Sequence, residues 1–487
     1  MKILFIDIDT LRPDHLGCYG YERNTSPNID SIAKDSVVFN QYYCSDAPCL
    51  PSRTALMTGK FGIHTRVVGH GGTTADIRPE GPDRGFKAQL NHYCLPGMLK
   101  EQGFKTVTIS PFAERHSSWV FYAGFNEVYN TGKGGQEVAD EVTPIVLDWL
   151  ERNKDQENWF LHVNYWDPHT PYRTPMELGD DFKDDPMPAW LTKEVFEQHK
   201  KAVGAHTTHE LGMYVAKTNP NRPRDMAQLN TYEDAKTFID NYDMGIKYAD
   251  YNVGRILNKL KEMGIYEDMM IIVSSDHGES MGEFGIYGEH GMADYATMRI
   301  PMIIKCPMGL HGITDQGLHY NLDLAPTLAE LFGAEKKPQW DGQSYAKSLL
   351  TGEDTGRPEL ILGQCAHVCE RAVRFDNWHY IRVYHDGFRL LDKEMLFDIE
   401  NDPHMTRDLK QEKPEIVHEA VYKLTNWHDD MMLSMDTDVD PLWTVIKEGG
   451  PQHAKGHHLV KYLERLEETG RHEAAELLRE KHQRFLK

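Results

Sequence analysis

The sequence predicts an α/β fold, with a large, mostly parallel sheet sandwiched by helices and a smaller C-terminal α+β subdomain containing an antiparallel sheet. Three observations predict it. Short apolar runs alternate with amphipathic helical stretches, the pattern of a parallel sheet with helices on both faces. Acidic and histidine residues follow two of those runs, and strand tips are where ligands gather in open α/β sheets. From about Leu360 the texture changes to short strands set close together.

The first strand covers Ile3 to Ile8 and ends in Asp9-Thr10. A helix is expected from Asn28 to Asp35, opened by Pro27, with Asn24-Thr25-Ser26 as capping candidates. Tyr93 to Gln102 is a helix closed by Gly103, and Lys105 to Ile109 a strand. Glu137 to Lys154 is a long amphipathic helix, and Trp159 to Asn164 another apolar strand. Residues 174–235, rich in Asp, Pro, Met and Lys, break this rhythm as an insertion that either covers an active site or decorates the surface. It resumes with a helix from Thr237 to Met263, closed by Gly264. The strand Met269 to Ser274 then runs into Asp276-His277-Gly278. A strand from Ile300 to Cys306 and a helix from Asp323 to Phe332 follow. Arg371 to Phe375, His379 to Tyr384 and Met395 to Asp398 suggest the antiparallel sheet. The tail beyond about Pro441 is charged and helical, a capping or subunit-contact element. The expected divisions are 1–360, 361–435 and 436–487, with no internal repeat.

Bulk properties bound the function. The 487 residues are 40% hydrophobic and 26% charged, enough apolar material for a core. No run approaches the roughly 18 apolar residues of a membrane span. Ile3-Leu4-Phe5-Ile6 is too short for a secretory leader and is cut by Asp7 and Asp9. A cytoplasmic location is therefore expected, with an exported mature form as the alternative. Seven cysteines leave at least one unpaired thiol, which fits a reducing compartment. The net charge of −22 argues against nucleic acid as a partner and disfavours long polyanions. A small anion can still bind where a few cations converge.

The most informative stretch is Cys49-Leu50-Pro51-Ser52-Arg53-Thr54-Ala55-Leu56-Met57-Thr58-Gly59-Lys60. It sets a thiol before a turn residue, a hydroxyl, a guanidinium and a helix-compatible run closed by glycine. A thiol at a helix N-terminus is expected to have a lowered pKa and an anion site beside it. The plain alternative is a buried, inert cysteine.

The whole string resembles the signature of the type I sulfatases, Cys-x-Pro-Ser-Arg followed by Leu, Thr-Gly and a basic residue. The likeness continues in Asp9-Thr10-Leu11-Arg12-Pro13-Asp14-His15-Leu16-Gly17-Cys18-Tyr19-Gly20, in Thr25-Ser26-Pro27-Asn28-Ile29-Asp30 and in Leu396-Phe397-Asp398-Ile399-Glu400-Asn401-Asp402-Pro403. It spans about residues 3–410, outside the insertion and the final tail. It implies the alkaline-phosphatase-like fold and a formylglycine made from Cys49 by a formylglycine-generating enzyme. The hydrated aldehyde carries two hydroxyls on one carbon. One attacks sulfur and displaces the alcohol; the other is deprotonated so that the aldehyde re-forms and sulfate leaves.

Such a hydroxyl needs a lowered pKa, so the resemblance also implies a divalent cation, Ca2+ foremost with Mg2+ as the alternative. The implied ligands are Asp9, Asp276, His277 and the modified Cys49. Many sulfatases carry a second aspartate after the first, whereas Thr10 stands here. Asp7, on the same face as Asp9, either replaces it or supports the shell. Arg53 would hold the hydrate, Ser52 the turn, and Lys60 would brace the site. His169, in Tyr165-Trp166-Asp167-Pro168-His169-Thr170-Pro171-Tyr172, is the implied general acid. His290, in Gly288-Glu289-His290-Gly291, would contact sulfate or the leaving group. Arg115 and His116 stand in for a Gly-Lys-x-x-His segment, and His64, His70 and Arg173 are further candidates for substrate contact. The implied activity is hydrolysis of a small sulfate ester, of a sulfated sugar, oligosaccharide or aryl alcohol. Thr10 keeps a phosphonate monoester or phosphodiester hydrolase as the alternative. A non-catalytic anion-binding relative, with Cys49 never oxidised, is the third.

Overall fold

The computed structural model describes residues 1–77, 89–435 and 438–486, so residues 436–437 and 487 of the expected tail lie outside the described residues. Eight strands form the main sheet: β1 (Lys2–Ile8), β2 (Val37–Phe39), β3 (Lys105–Ile109), β4 (Glu127–Tyr129), β5 (Trp159–Tyr165), β6 (Met270–Ser274), β7 (Met302–Lys305) and β8 (Ile313–Asp315). Their order is β8-β2-β7-β6-β1-β5-β3-β4. β1 lies between β5 and β6, parallel to both, with Asp7 level with Asn164 on one side and Ser274 on the other. β7 runs against β6 and β2. The expected strand Ile300 to Cys306 is thus the antiparallel member of a mostly parallel sheet.

Both faces of the sheet are covered, which is why its strands read as continuous apolar runs. Along β1, Ile3 and Phe5 enter one core, while Leu4, Ile6 and Ile8 enter the other. Helices α1 (Pro27–Ala33), α2 (Cys49–Thr58), α3 (Ala139–Arg152), α4 (Tyr232–Glu262) and α5 (Leu324–Leu331) supply the covering layers. Ala55 and Leu56 of α2 and Leu324 and Leu328 of α5 pack in the first core; Val142 of α3 and Phe238 of α4 pack in the second. Asp7 and Asp9 continue the Ile3-Phe5 alternation and therefore face α2.

Two expected helices differ in extent. The stretch Tyr93 to Gln102 is broken into Leu90–Tyr93 and Leu95–Glu101. Pro96 has no N–H to continue the preceding turn, and Cys94 is extended. α4 starts earlier than Thr237 because Thr231 caps it, accepting from Asp234 N while Asp234 bonds back.

The second sheet comprises β9 (Glu359–Gln364), β10 (Cys369–Phe375), β11 (Trp378–His385) and β12 (Glu394–Asp398), antiparallel in that order. β9 straddles the expected division after residue 360. A two-residue strand, Asp46–Ala47, joins its free edge in parallel. The C-terminal sheet therefore grips the chain just ahead of Cys49. Helix α6 (Pro414–Ser434) packs behind it through Val417, Ala420 and Leu424. In the tail, α7 (Gly456–Glu468) and α8 (His472–Lys481) bury Leu459, Tyr462 and Leu478 with Ala205 and Tyr214 of the insertion. The buried Glu210 is paired with Arg465 and Arg471, and Gly204 N donates to Tyr462 Oη at 2.9 Å. Part of the insertion thus packs with the tail, while its Leu191, Phe196 and Leu229 join the core of the main sheet.

Candidate active site

The site lies where β1 and β6 end side by side and α2 begins. Asp9 follows β1, Asp276 and His277 follow β6, and Cys49 is the first residue of α2. The carboxylate, imidazole and thiol ligand atoms of Asp9, Cys49, Asp276 and His277 all lie within 4.8 Å of one another, and all four residues are buried. Two local features create this convergence. Thr10 takes a left-handed φ of 58°, costly for a β-branched residue, and is held there by Tyr242 Oη donating to its carbonyl at 2.7 Å and by its own N–H on Asp276 Oδ1 at 3.2 Å. Gly278 lets the segment after β6 lie against the backbone of Ala296, since a Cβ there would lie 1.9 Å from Ala296 O.

Arg53 lies one turn along α2 and is fully buried. Its Nε donates to Asp7 Oδ2 at 2.8 Å, while Nη1 reaches Asp9 Oδ2 at 2.9 Å and Asp276 Oδ2 at 2.6 Å. Asp7 is further held by Arg53 Nη2 and His162 Nε2. Asp7 stands outside the four-residue cluster, with its carboxylate bonded to Arg53 and His162. Burial raises the pKa of Asp9 and Asp276 even against the neighbouring guanidinium. Asp9 Oδ1 and Thr10 Oγ1 are buried with no hydrogen-bond partner. Orphaned oxygen beside carboxylates that one cation leaves short of charge fits a divalent metal ion.

The thiol corrects one expectation. Burial, with the Asp9 charge adding to it, pushes Cys49 up to about 12, the opposite of the lowering anticipated at a helix N-terminus. As a cysteine it is a poor nucleophile. Its Sγ lies 3.2 Å from His277 Nε2.

His290 faces this group, its ring 4.0 Å from that of His277 and 5.4 Å from that of His169. Burial opposes its charge, but Glu289, Cys49 and Glu279 outweigh burial and set its pKa well above the ordinary value. His169 is held well below it by burial and by His290. His169 Nδ1 is engaged by Thr170 O, leaving Nε2 as its working atom.

The remaining candidates divide. Arg115 lies over the Trp166 ring at 4.7 Å, and His116 stacks on Trp166 and meets His70 at a tilt, so the three cluster around the ring that also neighbours His169. Arg173 is used structurally, donating to His169 O and Gly135 O. His64 pairs with Asp341 and touches Met431 O, so it is no substrate contact. Lys60 follows the far end of α2, about 15 Å along the helix from Cys49, too distant to brace the site. Ser52 Oγ donates to Asp276 O and ties helix to strand tip.

Sequence reasoning missed the outer wall. His206 from the insertion and His367 from the β9–β10 turn both reach Glu289, at 3.1 and 3.4 Å. His453 from the tail stacks on His367 at 4.4 Å. No local pattern marks these residues, because tertiary packing alone brings them in. Glu279 had a signal, since it directly follows Asp276-His277-Gly278.

The sheet and the site at its tips define a hydrolase of the alkaline-phosphatase-like fold. Residues 2–334 match the Sulfatase family model. A choline-sulfatase of Rhizobium meliloti (strain 1021) is 26% identical over 470 residues, covering 87% of this chain and 84% of that protein. Among solved structures, a protein in complex with its substrate D-glucosamine-2-N,6-O-disulfate superposes with a TM-score of 0.71 at 18% identity, covering 90% of this chain and 99% of that one. A phosphonate monoester hydrolase of Agrobacterium radiobacter gives 0.67 at 18% identity, over 88% and 96%. The chain belongs to the sulfatase family and is a sulfuric ester hydrolase.

Proposed function

We propose that the enzyme cleaves a small sulfated sugar through a formylglycine made from Cys49, with Asp9, Asp276, His277 and the modified residue 49 holding a calcium-class cation. The convergence of those four residues at two adjacent strand tips supports this most strongly. When bound, the cation and the hydrated aldehyde supply an activated hydroxyl to attack sulfur and a second one to release sulfate. Arg53 keeps Asp9 and Asp276 aligned and anchors the residue-49 end of α2. His290, charged at rest, faces the sulfate oxygens. His169 protonates the leaving oxygen once the sulfate charge beside it offsets the burial that keeps it neutral. His70, His116, His206 and His367 each keep one buried ring nitrogen with no hydrogen-bond partner, and several such imidazoles suit a hydroxyl-rich alcohol. The glucosamine disulfate bound by one structural neighbour supports the same class, whereas the choline ester named for one relative is the competing small substrate. The six cysteines other than Cys49 are unpaired, which supports a reducing compartment.

A second reading follows from the opposite shifts of the two histidines: His290 donates the proton and His169 only orients it. The pH profiles of H169Q and H290Q separate these roles. Turnover needs the acid protonated and falls as pH rises through its pKa, so the variant lacking the true acid loses that alkaline limb.

The test of the whole proposal is the mass of the tryptic peptide containing Cys49, from protein made in a host that forms formylglycine. A loss of about 18 Da, sulfur replaced by oxygen with two hydrogens removed, establishes the nucleophile. Sulfated monosaccharides turned over faster than phosphonate or phosphodiester analogues support the substrate class. An unmodified thiol with no sulfatase activity overturns it.

A further inference from the structure

We propose that Glu289, His206, His290 and His367 form a second cation site, beside the strand-tip site and selective for a zinc-class transition metal. Three separate segments converge on one carboxylate. His290 Nε2 lies 2.9 Å from Glu289 Oε1, His367 Nε2 lies 3.4 Å from the same oxygen, and His206 Nε2 lies 3.1 Å from Oε2. The ligand atoms of Glu289, His290 and His367 all fall within 4.8 Å of one another, and the three residues are buried. Zinc takes nitrogen and carboxylate oxygen at about 2.0–2.2 Å, which places neighbouring ligand atoms roughly 3 Å apart, the spacing that each of the three histidines has from Glu289.

The donor set decides which metal. Three imidazoles and one carboxylate suit Zn2+, Co2+ or Ni2+, whereas Ca2+ and Mg2+ prefer oxygen. The strand-tip site, with two aspartates, has the opposite preference, so the two sites sort ions by hardness. Glu279 Oε1 lies 3.3 Å from His290 Nδ1, the outer carboxylate that orients a ligating histidine. His453 stacked on His367 holds that ring in place. His290 also faces residue 49 and, under the proposed function, the sulfate. A filled second site therefore displaces the proton of His290 to solvent and withdraws the ring from substrate, and a zinc-class ion inhibits the calcium-loaded enzyme.

The same distances would also serve three N–H···O bonds to Glu289 with no metal, and titration with Co2+ separates the two arrangements. Calcium-loaded full-length protein is expected to bind one equivalent of Co2+ with the visible absorption of a four-coordinate nitrogen-rich site. H206Q and H367Q, on different segments, should each weaken Co2+ binding at least about 10-fold. D276N should retain the band. In parallel, Zn2+ should inhibit wild type at concentrations that leave H206Q at its own zinc-free rate. The proposal is overturned if calcium-loaded protein takes up no Co2+, or if D276N abolishes the band while H367Q keeps it. Metal counting needs no turnover, so this result stands apart from the sulfatase assay.

Discussion

The inner and outer halves of the site are built differently. The inner half, Asp9, Cys49, Arg53, Asp276 and His277, sits at the ends of β1 and β6 and the start of α2, within the most regular part of the molecule. The outer half, His206, His367 and His453, hangs on an insertion, a hairpin turn and a tail that pack on one another. Fixed strand tips hold groups to the tolerance that bond-making needs, whereas a wall assembled from loops can change with the alcohol being recognised. Chemistry should therefore fail when the inner half is altered, and selectivity when the outer half is.

The largest effect belongs to residue 49. Cys49→Ala should lower kcat by at least about 10^4-fold, because it removes the atom that forms the covalent bond. Cys49→Ser should instead release about one equivalent of alcohol per enzyme and then stop, since a single hydroxyl cannot expel sulfate; a pre-steady-state assay with an aryl sulfate sees this directly. Steady turnover by the serine variant would break the assignment of residue 49. Asp276→Asn comes next, at about 10^3-fold in kcat with a matching loss of Ca2+ affinity by calorimetry. It leaves Arg53 Nη1 facing a neutral amide, so Asp9→Asn should behave alike. Unequal effects would show that one carboxylate serves Arg53 more than the cation.

The comparison itself is sharpened by two histidines. His290→Gln should cost about 10^2-fold or more, in kcat. His453→Gln should cost under about 10-fold, chiefly in KM, and differ between sulfated sugars and a plain aryl sulfate. Equal losses of kcat in both variants would erase the proposed division between chemistry and recognition.

The same division explains what was legible in the sequence. Strand–tip–helix segments announce themselves through local periodicity, so β1, β3, β5 and the two aspartate-bearing tips fall close to their expected places. Cys49 was found as part of a long contiguous string. Its electrostatics were not, because the helix N-terminus is local whereas the burial and Asp9 charge that dominate it come from tertiary structure. Asp46–Ala47 was invisible as a strand, being two residues that pair only because β9 arrives beside them. His206 and His453 lay outside any motif. Lys60 matches the motif's closing basic residue, yet α2 carries it away from Cys49, and His64 is taken up by Asp341.

A smaller effect joins the two halves at Glu370. It lies on β10, and its Oε2 accepts from Ala293 N at 2.9 Å, tying the C-terminal sheet to the loop just after His290. Burial raises its pKa to about 8, while Oε1 has no hydrogen-bond partner. The folded state therefore keeps a proton that the unfolded chain releases near its ordinary value of 4.5. Between those two values the folded state binds more protons than the unfolded state, so this residue's contribution to stability falls as pH rises. Glu370→Gln retains an oxygen for Ala293 N and removes the ionisation. It should raise the melting temperature by a few degrees at about pH 8.5 and change it little near pH 5. Calorimetry of the calcium-loaded enzyme at both pH values checks this. An equal shift at the two would mean that packing, not the proton, sets the difference. A fall at high pH would mean that the carboxylate is ionised in place, with the Arg389 charge compensating it more fully than its burial allows here.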